Sequence, residues 1–225
     1  MDLQLDNNDH DVDYFTSKDS VCIGWNVMDS ESGVLKSKVS VCSALNTIDC
    51  LLYELDVGNQ TFICVADLEI KEGVKYVTKV RAENQAGLTT ELFSDGFVVD
   101  STPPLIGEVE YTDSSNPIVK KAEEQFTHSL ISVKWNGFSD KESGIRAYYV
   151  CVGTQPGECN SINMTKVTDS TTYTFHDLQL VQSETYFASV VAENRAGLTS
   201  DLKTSDVIAV DKTGIHNNYS IFIAA

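Results

Sequence analysis

The sequence predicts an all-β protein made of two tandem antiparallel β-sandwiches. Two observations lead to this prediction. The undecapeptides AENQAGLTTEL at 82–92 and AENRAGLTSDL at 192–202 are nearly identical and lie 110 positions apart. Around them, apolar and polar residues alternate, and no stretch has the 3.6-residue period of a convincing helix. A repeat of this length is a duplicated domain, because the units of solenoid proteins span only about 20–50 residues.

Other residues of the two repeats match in the same register. The pairs that lie 110 positions apart include Trp25 with Trp135, Leu68 with Leu178, and Tyr76 with Tyr186. Large apolar side chains repeated at one spacing are expected to hold equivalent positions in two cores. The duplication therefore extends over whole domains.

The local pattern inside each repeat has the period of a β-strand. In the second repeat, Ile131, Val133 and Trp135 share one face of a predicted strand, and polar residues occupy the other face. Val21 and Ile23 take the same places in the first repeat. Alternation of this kind indicates strands that are buried on one side, and short strands separated by turn signals favour a sandwich.

On these residues the chain resembles the fibronectin type III family, whose domains are Ig-like sandwiches. The resemblance rests on a tryptophan in the second strand, a leucine eight residues before a tyrosine, and the run Tyr-x-x-x-Val-x-Ala-x-Asn-x-Ala-Gly. It implies two sheets per domain, with strands A-B-E and C-C′-F-G. It also implies that Tyr76 and Tyr186 are corner tyrosines whose hydroxyls bond nearby backbone. The repeated undecapeptide would then end strand F and turn into strand G.

The resemblance covers 101–212 fully and 15–100 in part, and these are the two expected domains. Residues 1–14 are expected to be an acidic lead-in that is disordered or forms a partial strand. Residues 213–225 are expected to be a tail or the start of a further repeat. The prolines of DSTPP at 100–104 fix φ and stiffen the junction. The first domain lacks this lead-in, so we expect it to be N-terminally incomplete and the chain to be a segment of a longer array.

Composition excludes several classes of partner. The chain has 33 acidic and 16 basic residues and a formal net charge of −17. It offers no basic field for phosphates, so nucleic acid and anionic membrane surfaces are not expected partners. No apolar run approaches the roughly 18 residues of a membrane span, so we expect no direct membrane insertion within this segment. No cofactor is expected.

All six cysteines can be paired on the strands that the resemblance implies. The expected disulfides are Cys22–Cys64, Cys42–Cys50 and Cys151–Cys159. The first would join outward-facing residues of the neighbouring strands B and E. The other two share a spacing of eight and would join strand C to the C′ region. The alternative is free buried thiols in a cytosolic protein. No Cys-x-x-Cys occurs, which disfavours zinc and thioredoxin-type chemistry.

Three Asn-x-Ser/Thr sequons are candidate glycosylation sites, at Asn59, Asn163 and Asn218. We expect Asn59 and Asn163 to lie between strands C′ and E, where a glycan would be solvated. Together with the cysteines, the sequons favour an extracellular protein or a cell-surface ectodomain.

Calcium ligation is an alternative for two acidic stretches. DSESG at 29–33 and DKESG at 140–144 follow the tryptophan strands and are typical turns. Oxygen ligands could come from Asp29 with Glu31, or from Asp140 with Glu142. The acidic start of the chain supplies a second group of candidates, which consists of Asp6, Asp9 and Asp11. No hydrolase, metalloprotease or phosphate-loop motif is present, so we do not expect an enzyme.

The expected function is a non-catalytic extracellular spacer and protein-binding module of an adhesion protein or receptor ectodomain. Two alternatives stay open. One is an accessory, glycan-binding region of a secreted enzyme, and the other is a calcium-dependent adhesion segment. The binding partner is expected to be an extracellular protein whose identity the sequence does not give.

Overall fold

A computed structural model describes residues 12–112, 130–181 and 183–210, together with the backbone of 2–3 and 124–125. The chain forms two compact units. The first unit consists of Met1–Pro103 with two further loops, Asp140–Gly144 and Asn194–Leu198. The second unit consists of Pro104–Ser139, Ile145–Glu193 and Thr199–Ala225.

In the described part of Met1–Pro103 lie nine strands, β1 to β9. They are β1 (Asp2–Leu3), β2 (Tyr14–Phe15), β3 (Ser20–Gly24), β4 (Val34–Ser43), β5 (Asn46–Asp56), β6 (Phe62–Ala66), β7 (Lys75–Asn84), β8 (Thr89–Phe93) and β9 (Phe97–Val99). One sheet has the order β1-β3-β6, and the other has the order β2-β9-β7-β4-β5 with β8 paired to β7. The strand β2 runs parallel to β9, whereas β3 and β6 are antiparallel.

The remaining nine strands repeat this arrangement. They are β10 (Glu108–Thr112), β11 (Glu124–Gln125), β12 (Ile131–Asn136), β13 (Ile145–Gly153), β14 (Ile162–Val167), β15 (Thr172–Phe175), β16 (Thr185–Asn194), β17 (Lys203–Thr204) and β18 (Ile208–Val210). Their sheets have the orders β10-β12-β15 and β11-β18-β16-β13-β14, with β17 paired to β16. Because both halves consist of two antiparallel-dominated sheets and the described residues contain no helix, the predicted all-β sandwich class is confirmed.

Each unit buries its own hydrophobic core. In the first unit, Val21 and Ile23 of one sheet and Val39 and Val41 of the other are buried in a single cluster. The second unit has a cluster of the same construction around Trp135, which is completely buried. The alternating apolar residues of the sequence therefore fill these cores, as period-2 patterning requires.

The paired tryptophans differ in burial, whereas the paired leucines do not. Trp25 is only partly buried and packs against the core of its unit, whereas Trp135 has an exposed fraction of 0%. Leu68 and Leu178 are both partly buried against their own clusters.

Both corner tyrosines bond the backbone five residues upstream. The Tyr76 hydroxyl accepts a hydrogen bond from the Lys71 N–H at 3.2 Å. The Tyr186 hydroxyl accepts one from the Val181 N–H at 3.0 Å. Each hydroxyl thereby holds the loop that precedes its strand against the start of that strand.

Within the described part of the chain, helices suited to crossing a membrane are absent.

Candidate functional site

The loop after β3 is organised around one aspartate. The Asp29 Oδ1 atom accepts hydrogen bonds from the N–H groups of Ser32 at 2.7 Å, Gly33 at 3.0 Å and Glu31 at 3.2 Å. Gly33 has a φ of 77°, a conformation that glycine adopts without steric cost. DSESG at 29–33 is therefore a closed turn whose donors converge on one carboxylate.

An asparagine of the repeated undecapeptide ties this turn to a second loop. The Asn84 Nδ2 atom donates to Asp29 Oδ2 at 3.1 Å, across 55 positions of sequence. The Asn84 Oδ1 atom accepts from the Leu88 N–H at 2.8 Å and from the Ala86 N–H at 3.1 Å. We call the pair Asp29 and Asn84 the first clamp, because it joins the β3–β4 loop to the β7–β8 loop.

The second repeat contains the same arrangement, which we call the second clamp and which consists of Asp140 and Asn194. The Asp140 Oδ1 atom accepts from the Ser143 N–H at 2.8 Å and from the Gly144 N–H at 3.0 Å. The Asn194 Nδ2 atom donates to Asp140 Oδ2 at 3.1 Å, and its Oδ1 accepts from the Leu198 N–H at 2.8 Å. The distances agree with those of the first clamp to within about 0.1 Å. The repeated undecapeptide thus preserves a side-chain bond between two loops as well as a turn.

Within the part of the chain that the structure describes, the second clamp has additional partners that the first clamp lacks. The Asn194 Nδ2 atom also donates to Asp100 Oδ2 at 2.8 Å and to the Thr102 carbonyl at 3.1 Å. The Ser143 hydroxyl donates to Asp100 Oδ2 at 2.6 Å. Both Asp100 and Asn194 have an exposed fraction of 0%. The matching hydroxyl of the first clamp, on Ser32, donates to Asp29 instead.

The acidic residues near the second clamp form one cluster. Carboxylate oxygens of Asp100, Asp140 and Glu142 lie within 4.8 Å of one another. The cluster includes the calcium candidates Asp140 and Glu142, and it adds Asp100, which sequence reasoning had placed only in a linker. Hydroxyl and amide donors already surround these oxygens, and Thr102 Oγ1 donates to Asp100 at 3.2 Å. These hydrogen bonds link the three carboxyl groups in one network.

The other calcium candidates, Asp6, Asp9 and Asp11, lie outside the described residues.

The clamp aspartates are held in their ionised form. The Ser32 N–H and then the Asn84 side chain lower the pKa of Asp29 from 3.8 to about 2. Burial acts to raise the pKa of Asp140, but hydrogen bonds from the Ser143 N–H and the Asn194 side chain outweigh it and lower the pKa. Donors aimed at a carboxylate favour its charged state, so both clamps are stable as anions at neutral pH.

An exposed hydrophobic hairpin distinguishes the first unit. Four large side chains of the β4–β5 hairpin face solvent, and we call them the hairpin surface: Leu45, Ile48, Tyr53 and Leu55. Their exposed fractions are 96%, 87%, 68% and 36%. The strand β5 is also the outermost strand of its sheet, so one of its edges carries backbone groups without a strand partner among the described residues. In the second unit, the corresponding outer strand β14 exposes one large apolar side chain, Met164 at 42%.

Disulfides fasten both units. They join Cys22 to Cys64, Cys42 to Cys50, and Cys151 to Cys159, and no cysteine is free. Cys42 and Cys50 lie directly opposite each other in β4 and β5, so this bridge closes the hairpin next to the exposed Leu45 turn. Cys22 and Cys64 are also directly paired, between β3 and β6.

The sequons fall in different environments. Asn59 lies in the turn after β5 and is exposed. Asn163 is exposed too, but it lies within β14, the C′ strand of its sheet, so its expected position between C′ and E is wrong. The sequence pattern placed the C′ strand around Cys159, but residues 154–161 form an irregular loop, so the strand begins only at Ile162. Asn218 lies outside the described residues.

Comparisons with known proteins place the chain by fold. No family model matches the chain. Fibronectin(III)-like modules of CbhA from Clostridium thermocellum are 12% identical, with a TM-score of 0.47 over 93% of this chain and 95% of theirs. The FN1–FN3 domains of chicken CNTN1 are 16% identical, with a TM-score of 0.39 over 87% and 65%. Domains A168–A170 of titin are 17% identical, with a TM-score of 0.54 over 88% of this chain and 61% of theirs. The likeness to the titin domains shows a shared fold and nothing further.

Proposed function

We propose that this chain is a non-catalytic extracellular spacer and protein-binding module of an adhesion protein or receptor ectodomain. The hairpin surface is the observation that carries the proposal. Large apolar side chains exposed together on one element are typical of interaction sites, because their burial against a partner removes apolar area from water. Leu45 and Ile48 are the most exposed of the four.

The edge position of β5 gives a partner a second kind of contact. An outer strand can accept the backbone of an extended partner segment, while alternate side chains supply specificity. Tyr53 and Leu55 alternate along β5 in this way and are both exposed. The hairpin surface therefore suits a protein partner that offers an extended segment with apolar side chains.

The Cys42–Cys50 disulfide supports the same proposal through entropy. A hairpin tip that is free to change conformation must be ordered on binding, and that ordering weakens affinity. The bridge spans eight positions and joins β4 to β5 close to the turn. The tip is therefore restricted before any partner arrives.

An extracellular location accounts for the cysteine chemistry. Disulfides persist in oxidising compartments and are rare in the cytosol. All six cysteines are paired, two pairs in the first unit and one in the second. Asn59 lies at the end of β5 that is farther from Leu45, so a glycan at this position would leave the hairpin tip accessible.

A cell-surface binding experiment tests the proposal. The fluorescently labelled chain is incubated with a panel of cells, and bound signal is compared with that of the double variant Leu45→Ser/Ile48→Ser. We expect saturable, protease-sensitive binding to at least one cell type, weakened by at least about tenfold in the variant, a loss of about 1.4 kcal/mol. Met164→Ser is the matched control, since it removes an exposed apolar side chain from the outer strand of the other unit. Equal binding by the double variant and the control would contradict the proposal.

A further inference from the structure

The first clamp borders an open cleft in the first unit. The cleft has a volume of about 190 Å³, and its lining includes Val27, Met28, Asp29, Asn84 and Leu88. Its lining combines apolar side chains with the amide of Asn84 and the carboxylate of Asp29. A small apolar cavity with a few oriented polar groups is typical of a binding site.

The second clamp shows which segment of the chain can bind at the position that corresponds to this cleft. There, the Asn194 amide, which also donates to Asp140, donates to Asp100 and to the Thr102 carbonyl. The Ser143 hydroxyl completes the contact with Asp100 at 2.6 Å. The Asp100 side chain is fully buried beside Asp140, and the Asn194 amide and the Ser143 hydroxyl donate to both carboxyl groups. An extended Val-Asp-x-Thr segment is thus the natural occupant of a clamp of this construction.

The residues that follow this segment cover the neighbouring apolar position. In the second unit, Leu105 and Ser139 exchange two backbone hydrogen bonds of 2.8 and 3.3 Å. Gly107 lies so close to Phe138 that a Cβ atom at residue 107 would not fit. Phe138 is accordingly only 8% exposed.

The matching positions of the first repeat are uncovered. Met28, which stands where the second repeat has Phe138, is 87% exposed. Leu88 is 69% exposed, whereas Leu198 is half-buried. The Asn84 amide makes one hydrogen bond among the described residues, to Asp29, although an amide has two N–H donors. The first clamp therefore presents an amide donor beside exposed apolar side chains, and no described residue occupies either of them.

We propose that the first clamp and its cleft form a docking site for an extended segment of the type Val-Asp-x-Thr, supplied by another domain of this fold. Both repeats of this chain end in such a segment, Val99–Thr102 and Val210–Thr213, so it is the ordinary end of a domain of this kind. The aspartate of the segment accepts from Asn84 and Ser32, and the residues after the threonine cover Met28. The site is independent of the hairpin surface, which lies on β4 and β5.

A peptide titration tests the docking site. The peptide VVDSTPPLIG, which copies residues 98–107, is added to the isotopically labelled chain up to about 1 mM, where weak peptide contacts become visible. We expect saturable NMR shifts of the Asn84 side-chain amide and of the Met28 methyl group. The peptide with alanine in place of its aspartate should bind at least about fivefold more weakly, because an ionised acceptor makes the stronger hydrogen bond.

Two protein variants and a control complete the test. Asn84→Ala removes the donor and should weaken binding at least about fivefold. Met28→Glu adds an anion at a solvent-exposed position, leaves the fold intact and should also weaken binding. Leu45→Ser, on the hairpin surface, should bind as the unmodified chain does. The proposal is overturned if no shift occurs at Asn84, or if both the Met28→Glu chain and the alanine peptide bind unchanged.

Discussion

The Asn84 side chain donates a hydrogen bond to the Asp29 carboxylate and thereby joins two loops that are 55 positions apart in sequence. The Asn194 side chain makes the same bond to Asp140 at the same distance of 3.1 Å. The difference between the clamps lies in burial, since Asn84 is half-buried and Asn194 has no exposed surface. This difference gives the two clamps unequal effects on stability.

Asn194→Ala should destabilise the chain more than Asn84→Ala. Removal of the Asn194 amide leaves the buried Asp100 carboxylate with one donor fewer, and a buried acceptor that loses its partner costs about 1–3 kcal/mol. Water can replace Asn84 at its half-exposed site, so its loss should be smaller. Urea unfolding of both variants measures the difference, and equal midpoints would contradict the account.

The first clamp should weaken in acid. The Asp29 pKa lies at about 2 in the folded chain and at 3.8 ordinarily, so folding favours the ionised form. Its stabilisation is complete above about pH 4 and is lost as the pH falls through about 2. We expect the stability difference between the unmodified chain and Asp29→Asn to shrink over this window when unfolding is followed from pH 5 to pH 2. If this stability difference stays constant from pH 5 to pH 2, the charge of Asp29 does not stabilise the fold.

Loss of a corner hydroxyl should destabilise each domain to a similar extent. Tyr76→Phe and Tyr186→Phe each remove one hydrogen bond to a backbone N–H, at Lys71 and Val181. The rings stay buried, so we expect a loss of about 1 kcal/mol for each variant. Thermal unfolding measures both losses. A variant that unfolds at the same temperature as the unmodified chain would show that its hydroxyl contributes nothing.

The two disulfides of the first unit should differ in their contributions. Chain entropy gives about 4 kcal/mol for a bridge that closes 42 positions and about 2.5 kcal/mol for one that closes eight. The double variant Cys22→Ala/Cys64→Ala should therefore be less stable than Cys42→Ala/Cys50→Ala. Guanidinium unfolding in the absence of reductant checks the order, and the reverse order would contradict the entropic argument.

The sequence predicted the fold class because the strand pattern is local. The alternation around Ile131 and Val133 predicts a strand from neighbouring residues alone. The spacing of 110 positions identifies Tyr76 and Tyr186 as equivalent residues from the sequence alone. Both tyrosines are buried at the corners of their domains.

The clamps were missed because their bonds connect separate loops. Asp29 and Asn84 each read as turn residues by themselves, since both types are typical of turns. The available signal was that DSESG and AENQAG recur together, as DKESG and AENRAG, with nearly the same separation. A side-chain bond between two turns explains why both were kept. Asp100 was missed for a related reason, because a polar residue next to prolines indicates a linker and gives no sign of complete burial.

The hairpin surface could not be predicted from hydrophobicity. Ile48 and Leu55 resemble core residues in the sequence, yet both are exposed on β5, the outer strand of its sheet. Strand order depends on the whole topology, which a local pattern does not specify.

A double-mutant cycle on Asp140 and Asn194 tests most directly whether the repeated undecapeptide serves to join two loops. The free energies of unfolding are measured for Asp140→Ala, Asn194→Ala, the double variant and the unmodified chain. If the 3.1 Å bond couples the loops, the sum of the stability losses in the two single variants should exceed the stability loss in the double variant by about 1–2 kcal/mol. If the stability losses of the two single variants add up to that of the double variant, Asp140 and Asn194 do not couple the two loops. AENRAG would then act only as a local turn.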